Sequence, residues 1–333
     1  MTPPLSADND TGEHLFLGFE GTQWTAGLRA WLQALRPGGL VLFRRNVVDT
    51  AQLTALIHEA NAWAETSLGR PLLWAVDEEG GSVQRLAALL GPAPSAFELA
   101  MAGDRALRMQ VMHTAQGLRR CGIHVNLAPV LDVVASPEHH FLGTRSLGNT
   151  CEEVARLGAL WIRCLQEHGI AATAKHFPGL GTASLDPHEQ LPRVALQAAA
   201  KAREDLAPFS EAVRSGVRVF MTSHAVYTFW DADWPGTLSW KINRGLLRER
   251  WNFQGVLFSD DVDMKAIGGR YEPETIVRRS LLATVDGLLV CQDAHSAEVF
   301  ARALHDGVRR HRDLREAHER SLHRLRALRS SLF

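Results

Sequence analysis

Residues 175–188, KHFPGLGTASLDPH, carry two adjacent basic side chains at one end and an Asp-Pro-His at the other. An aspartate two residues before a histidine can fix the imidazole tautomer and raise its basicity. Asp186 and His188 are therefore candidates for a proton donor and acceptor working near neutral pH. On its own the D-x-H spacing is a weak signal, since a loop histidine without any role has the same appearance. FSDDVDMKAI, residues 258–267, delivers a carboxylate at the end of an apolar run, the placement that a rigidly held nucleophile requires. Neighbouring strand residues point oppositely, so only one of Asp260 and Asp261 faces inward if the strand continues through them. Asp260 is assigned to the chemistry, with helix capping as the blander alternative. Asp261 and Asp263 are expected to favour the start of a helix near Met264. VDEEGGSVQR, residues 76–85, places Asp77 eight positions before Arg85 across paired glycines that let the backbone bend close to a ligand. These two suit neighbouring hydroxyl groups. A turn with a structural salt bridge is the competing reading.

Such residues need a scaffold, and eight short apolar runs supply one: 15–19, 40–43, 72–76, 125–130, 171–177, 219–224, 255–260 and 287–291. Between them lie amphipathic candidates at 50–67, 96–120, 151–167, 196–215 and 294–310, with apolar residues at i, i+3 and i+4. Strands this apolar are covered on both faces, and crossovers of this length suit parallel pairing. A single α/β domain over 1–333, folded as a (β/α)8 barrel, is expected over an open doubly wound sheet. Polar residues cluster where the runs end: Asp77, Asp132, Lys175, His176, His224, Asp260, Asp261 and Asp293. In a closed barrel these ends share one rim, the face on which barrel enzymes place their chemistry. The tail from about 307 to 333 has eight arginines, with acids and leucines at helical spacing. It reads as a helical extension packed on the barrel rather than a nucleic-acid-binding segment.

Composition narrows the classes further. A formal net charge of −1 gives no global attraction to nucleic acid or to an anionic membrane. The four cysteines are far apart and form no C-x-x-C pair, which argues against disulfides and structural zinc. His139 and His140 lack ligand partners at metal-binding spacing, so neither metal nor cofactor is expected. The N-terminus is polar and acidic, and no apolar run approaches the ~18 residues of a membrane span. A soluble, cytoplasmic, monomeric protein acting on a small molecule is the expectation.

Taken together the motifs resemble glycoside hydrolase family 3, in the single-domain β-N-acetylglucosaminidase type of peptidoglycan recycling. The resemblance rests on GGLVLFRRN (38–46), AVDEEGGSVQR (75–85), NLAPVLDV (126–133), GTRSLG (143–148), KHFPGLG with its D-x-H, MTSHAVY (221–227) and FSDDVDM. It implies Asp260 as nucleophile and His188 as general acid/base with Asp186 as its partner. It also implies Asp77, Arg85, Arg145, Lys175 and His176 as contacts to an N-acetylglucosamine ring, with His224 matching in a less defined role. Trp230 or Trp234 is a candidate for stacking on a sugar. Leu180 and Ser82 depart from the family's usual H-F-P-G-H-G and G-G-R-V, which bears on substrate preference. A β-glucosidase of the same family, a phosphorylase and an inactive sugar-binding barrel are the alternatives.

Overall fold

The computed structural model describes residues 10–183, 186, 191–195 and 199–333. Eight parallel strands close on themselves. We number them β1 (Leu15–Gly18), β2 (Gly39–Leu42), β3 (Leu73–Val76), β4 (Val125–Asn126), β5 (Ala171–Phe177), β6 (Val219–Thr222), β7 (Val256–Asp261) and β8 (Gly287–Val290). Closure comes from β1, whose Leu17 registers with Val290 of β8 on one side and Leu40 of β2 on the other. The order follows the chain, as expected for a (β/α)8 barrel rather than an open sheet.

The two-residue period of each strand sorts its side chains into two layers. Phe16, Val41, Leu73, Ala75, Val125, Ala171, Val219, Val256, Phe258 and Leu289 fill the barrel interior. Their neighbours Leu15, Leu17, Leu40, Leu42, Trp74, Phe220, Leu257 and Val290 face the helical layer. Interior space is tight. A Cβ on Gly39 would stand 2.6 Å from the Phe16 ring, and one on Gly287 would stand 2.6 Å from Phe258. Glycine at these two strand starts is what lets the rings of Phe16 and Phe258 pack with centroids 4.4 Å apart.

The outer layer comprises α1 (Ala26–Leu35), α2 (Thr50–Leu68), α3 (Asp104–Cys121), α4 (Cys151–Glu167), α5 (Ala207–Arg214), α6 (Pro273–Leu282) and α7 (Ala294–Arg310), with a π-helical segment Lys241–Arg250 between β6 and β7. Side-chain caps start several of them: Asp49 accepts from Gln52 N, Thr150 from Glu153 N, and Asp293 from Ser296 N. Asp293, grouped above with the rim residues, is thus a helix cap. The helix anticipated over 96–120 is broken at Gly103, whose φ of 89° ends one helix, Ala96–Ala102, before α3 begins. The strand read over 125–130 pairs regularly only at Val125–Asn126, with an isolated bridge from Val130 to Lys175 beyond it.

The last helix, α8 (Arg312–Ser330), closes the N-terminal end of the barrel. It begins after 307, since residues up to Arg310 complete α7. Leu325 and Leu328 join the interior cluster from below. Arg324 donates to the buried Asp286 carboxylate at 2.7 Å, while Arg326 and Arg329 hold Glu13 at 2.8 and 2.7 Å. Three of the tail's arginines are therefore spent on the barrel's own acids. Among the described residues no helix is long and apolar enough to cross a membrane.

Candidate active site

The polar residues anticipated at the rim sit at the C-terminal ends of the strands, opposite α8. Past β3 the chain makes a short antiparallel hairpin, Glu78–Gly80 with Val83–Gln84. Glu78 pins it: its carboxylate accepts the Arg85 and Leu86 amides at 2.9 and 2.8 Å, and its own backbone exchanges hydrogen bonds with the Asn126 side chain. Ser82 lies exposed at the tip.

A closed set of ion pairs forms the floor. Lys175 Nζ donates to Asp77 Oδ1 at 2.7 Å and to Glu79 Oε1 at 2.6 Å. Arg145, on the loop after β4, grips the same Glu79 through Nε at 2.8 Å and Nη2 at 2.9 Å. The Lys175 and Glu79 side chains are 2% and 3% exposed, so these charges are largely out of water. Burial alone raises the Glu79 carboxyl; Lys175 and Arg145 outweigh it and bring it down to about 2. Burial likewise works against the Lys175 ammonium, and Asp77 and Glu79 reverse the sign, raising it above its ordinary value. Glu79, Lys175 and Arg145 are each shifted toward their charged forms.

His176 follows Lys175 through a cis peptide. Its Nδ1 donates to Asp132 Oδ2 at 2.7 Å, so Nε2 is the nitrogen left for a ligand. Asp132 also accepts the His176 amide at 3.2 Å and the Leu180 amide at 2.6 Å. One buried carboxylate thereby fixes both a rim imidazole and the backbone at Leu180. Gly181 completes that anchor, since a Cβ there would meet Val133 O at 1.8 Å. Leu180 contributes its backbone to Asp132 and turns its side chain into the core.

Asp260 is half-buried at the end of β7, with its Oδ1 accepting the Asp261 amide at 2.8 Å. Burial pushes its carboxyl up, but charge on His176 and His224, that amide and Lys175 together hold it below the ordinary carboxylate value. His224 is fully buried, its Nε2 donating to the Asp261 carbonyl at 2.9 Å and its Nδ1 lying 2.7 Å from Thr237 Oγ1. Asp261 differs from its neighbour. It accepts the Asp263 and Cys291 amides at 3.2 Å each, yet burial and the Asp263 charge push it up to about 7. The helix expected near Met264 is absent: the chain turns until α6 opens at Pro273. Asp263 instead bridges to the segment after β8, accepting Gln292 N at 3.0 Å and, from the first turn of α7, the Ser296 hydroxyl.

The remaining candidates divide. Arg85 lies with its guanidinium 5.7 Å from the Phe43 ring and its Nε buried without an acceptor among the described residues. No ion pair joins Arg85 to Asp77 among those residues; Asp77 pairs with Lys175 instead, so this turn does carry a salt bridge. Asp186 is half-buried, and His188 lies outside the described residues. Trp234 is a poor platform for a sugar, because the Arg279 guanidinium covers it at 3.8 Å and Tyr271 packs against it. Trp230 is packed against Phe229 and Tyr227. Of the site's residues, Glu79 was not singled out from sequence, and Asp132 was placed at the rim without a role, although both stand inside motifs quoted above.

A carboxylate below its usual range faces a cradle of paired charges on a barrel's C-terminal rim. Against known families, residues 16–325 match the glycosyl hydrolase family 3 N terminal domain. The chain belongs to glycosyl hydrolase family 3. A protein of Thioalkalivibrio sulfidiphilus named beta-hexosaminidase is 36% identical over 300 residues, covering 88% of this family 3 hydrolase and 84% of the relative. Another beta-hexosaminidase, from Methylococcus capsulatus, is 35% identical over 290 residues, covering 85% and 84%. Among solved structures, a glycoside hydrolase family 3 beta-N-acetylglucosaminidase from Paenibacillus sp. str. FPU-7 superposes with a TM-score of 0.90 at 34% identity. That comparison covers 96% of this chain and 61% of the Paenibacillus chain, so the family 3 hydrolase described here spans under two thirds of it. The beta-N-acetylhexosaminidase of Beutenbergia cavernae gives 0.89 at 26% identity, covering 99% of this chain and all of the other. The family inferred from the motifs and the barrel inferred from the alternating apolar runs and helices are both borne out.

Proposed function

We propose that this family 3 hydrolase is a retaining exo-β-N-acetylglucosaminidase that releases terminal N-acetylglucosamine through a covalent glycosyl-enzyme. The observation that carries the reading is Asp260: an ionised carboxylate on a rigid strand end, beside the cradle of Asp77, Glu79, Arg145 and Lys175. Asp260 attacks the anomeric carbon while His188, oriented by Asp186, protonates the departing glycosidic oxygen. The same imidazole then removes a proton from the water that attacks the intermediate. Two displacements at one carbon leave the β configuration unchanged. Asp77, Arg85, Arg145, Lys175 and His176 contact the sugar, and His224 supports Asp260 from the neighbouring strand. The names of the relatives support the acetamido sugar, since they are hexosaminidases and N-acetylglucosaminidases. We further propose fragments of cell-wall turnover as natural substrates, a cytoplasmic location, a monomer, and one catalytic domain.

A panel of 4-nitrophenyl β-glycosides differing only at C2 tests this. The acetamido compound is expected to exceed the 2-hydroxyl compound in kcat/KM, with the β anomer of the sugar appearing first by NMR. Asp260→Ala is expected to cut turnover by at least about a thousandfold. Near-normal rates in that variant, or an α anomer formed first, would overturn the proposal. Inclusion of phosphate separates hydrolysis from phosphorolysis by the appearance of a sugar 1-phosphate.

A further inference from the structure

We propose that Glu79 is a positioning residue that makes the pocket selective for an uncharged sugar ring, by clamping Lys175 and Arg145 and cancelling their charge. The inference rests on the reading above in which those two cations contact the ring. Its basis is geometric. Glu79 is the only acid among the described residues that contacts both cations: Oε1 receives Lys175 at 2.6 Å and Arg145 Nη2 at 2.9 Å, while Oε2 receives Arg145 Nε at 2.8 Å. A two-toothed grip fixes the plane of the guanidinium as well as its distance. Lys175 spends one ammonium proton on Glu79 and another on Asp77, which leaves a third donor for a ligand hydroxyl.

The charge count follows from the same four groups. Lys175 and Arg145 contribute two positive charges, and Asp77 and Glu79 contribute two negative ones. The sum is zero in a place with little water, where an unbalanced charge attracts counter-charge strongly. A ring bearing only hydroxyl and acetamido groups finds matched donors and acceptors there, while a carboxylate on the ring finds no excess positive charge to offset its loss of hydration. Without Glu79 the floor carries one net positive charge, and Arg145 loses the contact that orients it.

Two ligands nearly equal in shape expose the effect: N-acetylglucosamine and 2-acetamido-2-deoxyglucuronic acid, in which the C6 hydroxymethyl group is a carboxylate. Binding of each is measured by calorimetry, alongside Tm and the kcat and KM for 4-nitrophenyl β-N-acetylglucosaminide. Wild type is expected to prefer the neutral sugar at least tenfold. Glu79→Gln is expected to raise KM about tenfold or more with a smaller change in kcat, and to shrink the neutral-to-acid preference at least tenfold. Glu79→Asp keeps the charge and shortens the reach, so it is expected to raise KM while keeping the wild-type preference. Should Glu79→Gln melt below the assay temperature, Glu79→Gln/Arg145→Gln, again neutral, takes its place with weak binding and the wild-type preference expected. Unchanged KM and preference in a folded Glu79→Gln protein overturns the inference, as does a double variant that favours the acid. Wild type that binds N-acetylglucosamine without cleaving its aryl glycoside counts against the function proposed above and leaves the clamp standing.

Discussion

Asp132 holds His176 twice, through the ring Nδ1 at 2.7 Å and through the backbone amide at 3.2 Å, while its other oxygen takes the Leu180 amide at 2.6 Å. The carboxylate is fully buried, so each of these bonds replaces water that the site no longer contains. The rim imidazole and the Leu180 backbone thus share one anchor.

Asp132→Asn removes the charge and turns one acceptor into a donor, leaving either the His176 ring or the Leu180 amide unmatched. Hydrogen bonds to a charged group are worth roughly 1.5–3 kcal/mol, which converts to a factor of about 10–150. A loss of that size in kcat/KM for the aryl substrate is expected, and wild-type kinetics in the folded variant would contradict the shared anchor.

The acid limb of the pH profile should report Asp260. Its carboxyl lies below the ordinary carboxylate value although burial opposes this, with charge on His176 foremost among the groups that lower it. Removing that charge raises the proton affinity of Asp260. In His176→Ala the acid limb of kcat/KM is therefore expected to move to higher pH, alongside any loss of rate; an unmoved limb would separate Asp260 from His176 electrostatically.

Asp261 carries the opposite shift, to about 7, and the sign of its effect on stability is opposite too. Between about pH 4 and 7 the folded protein keeps a proton on this group that the unfolded chain has released. Unfolding therefore releases a proton in that window, and stability falls as pH rises through it. The full effect is as much as about 4 kcal/mol, less what solvent screens at a half-buried position. Urea midpoints at pH 5 and 7.5 should fall less steeply in Asp261→Asn than in wild type.

Much of this arrangement is legible in the chain because it follows from local rules. Phe16 and Phe258 alternate with Leu17 and Leu257, which is enough to divide barrel interior from helical layer, and the acids and bases fall where the apolar runs stop. What eluded sequence reading depends on contacts between distant segments. Glu79 looks like a turn residue until Lys175, from the end of β5, and Arg145, from the loop after β4, are brought against it. Asp263 looks like a helix cap until Ser296 and Gln292 claim it. The break at Gly103 is a local signal outweighed by the helical periodicity on both sides.

The closure of the barrel by α8 gives a test on the face away from the chemistry. Leu325 is fully buried among interior side chains that, Leu328 aside, come from the strands and the residues just after them, so truncation leaves a cavity the β-sheet cannot collapse into. Leu325→Ala is expected to cost about 2–4 kcal/mol in urea unfolding, a large share of a typical total of roughly 5–15 kcal/mol. Arg320→Ala, on the exposed side of the same helix, is expected to stay within about 0.5 kcal/mol. Both variants should keep near-wild-type kcat and KM below their melting temperatures, because the strands separate α8 from Asp260 and its cradle. A Leu325→Ala protein as stable as wild type would mean that the strands alone fill the barrel, and that α8 lies against its end without entering it.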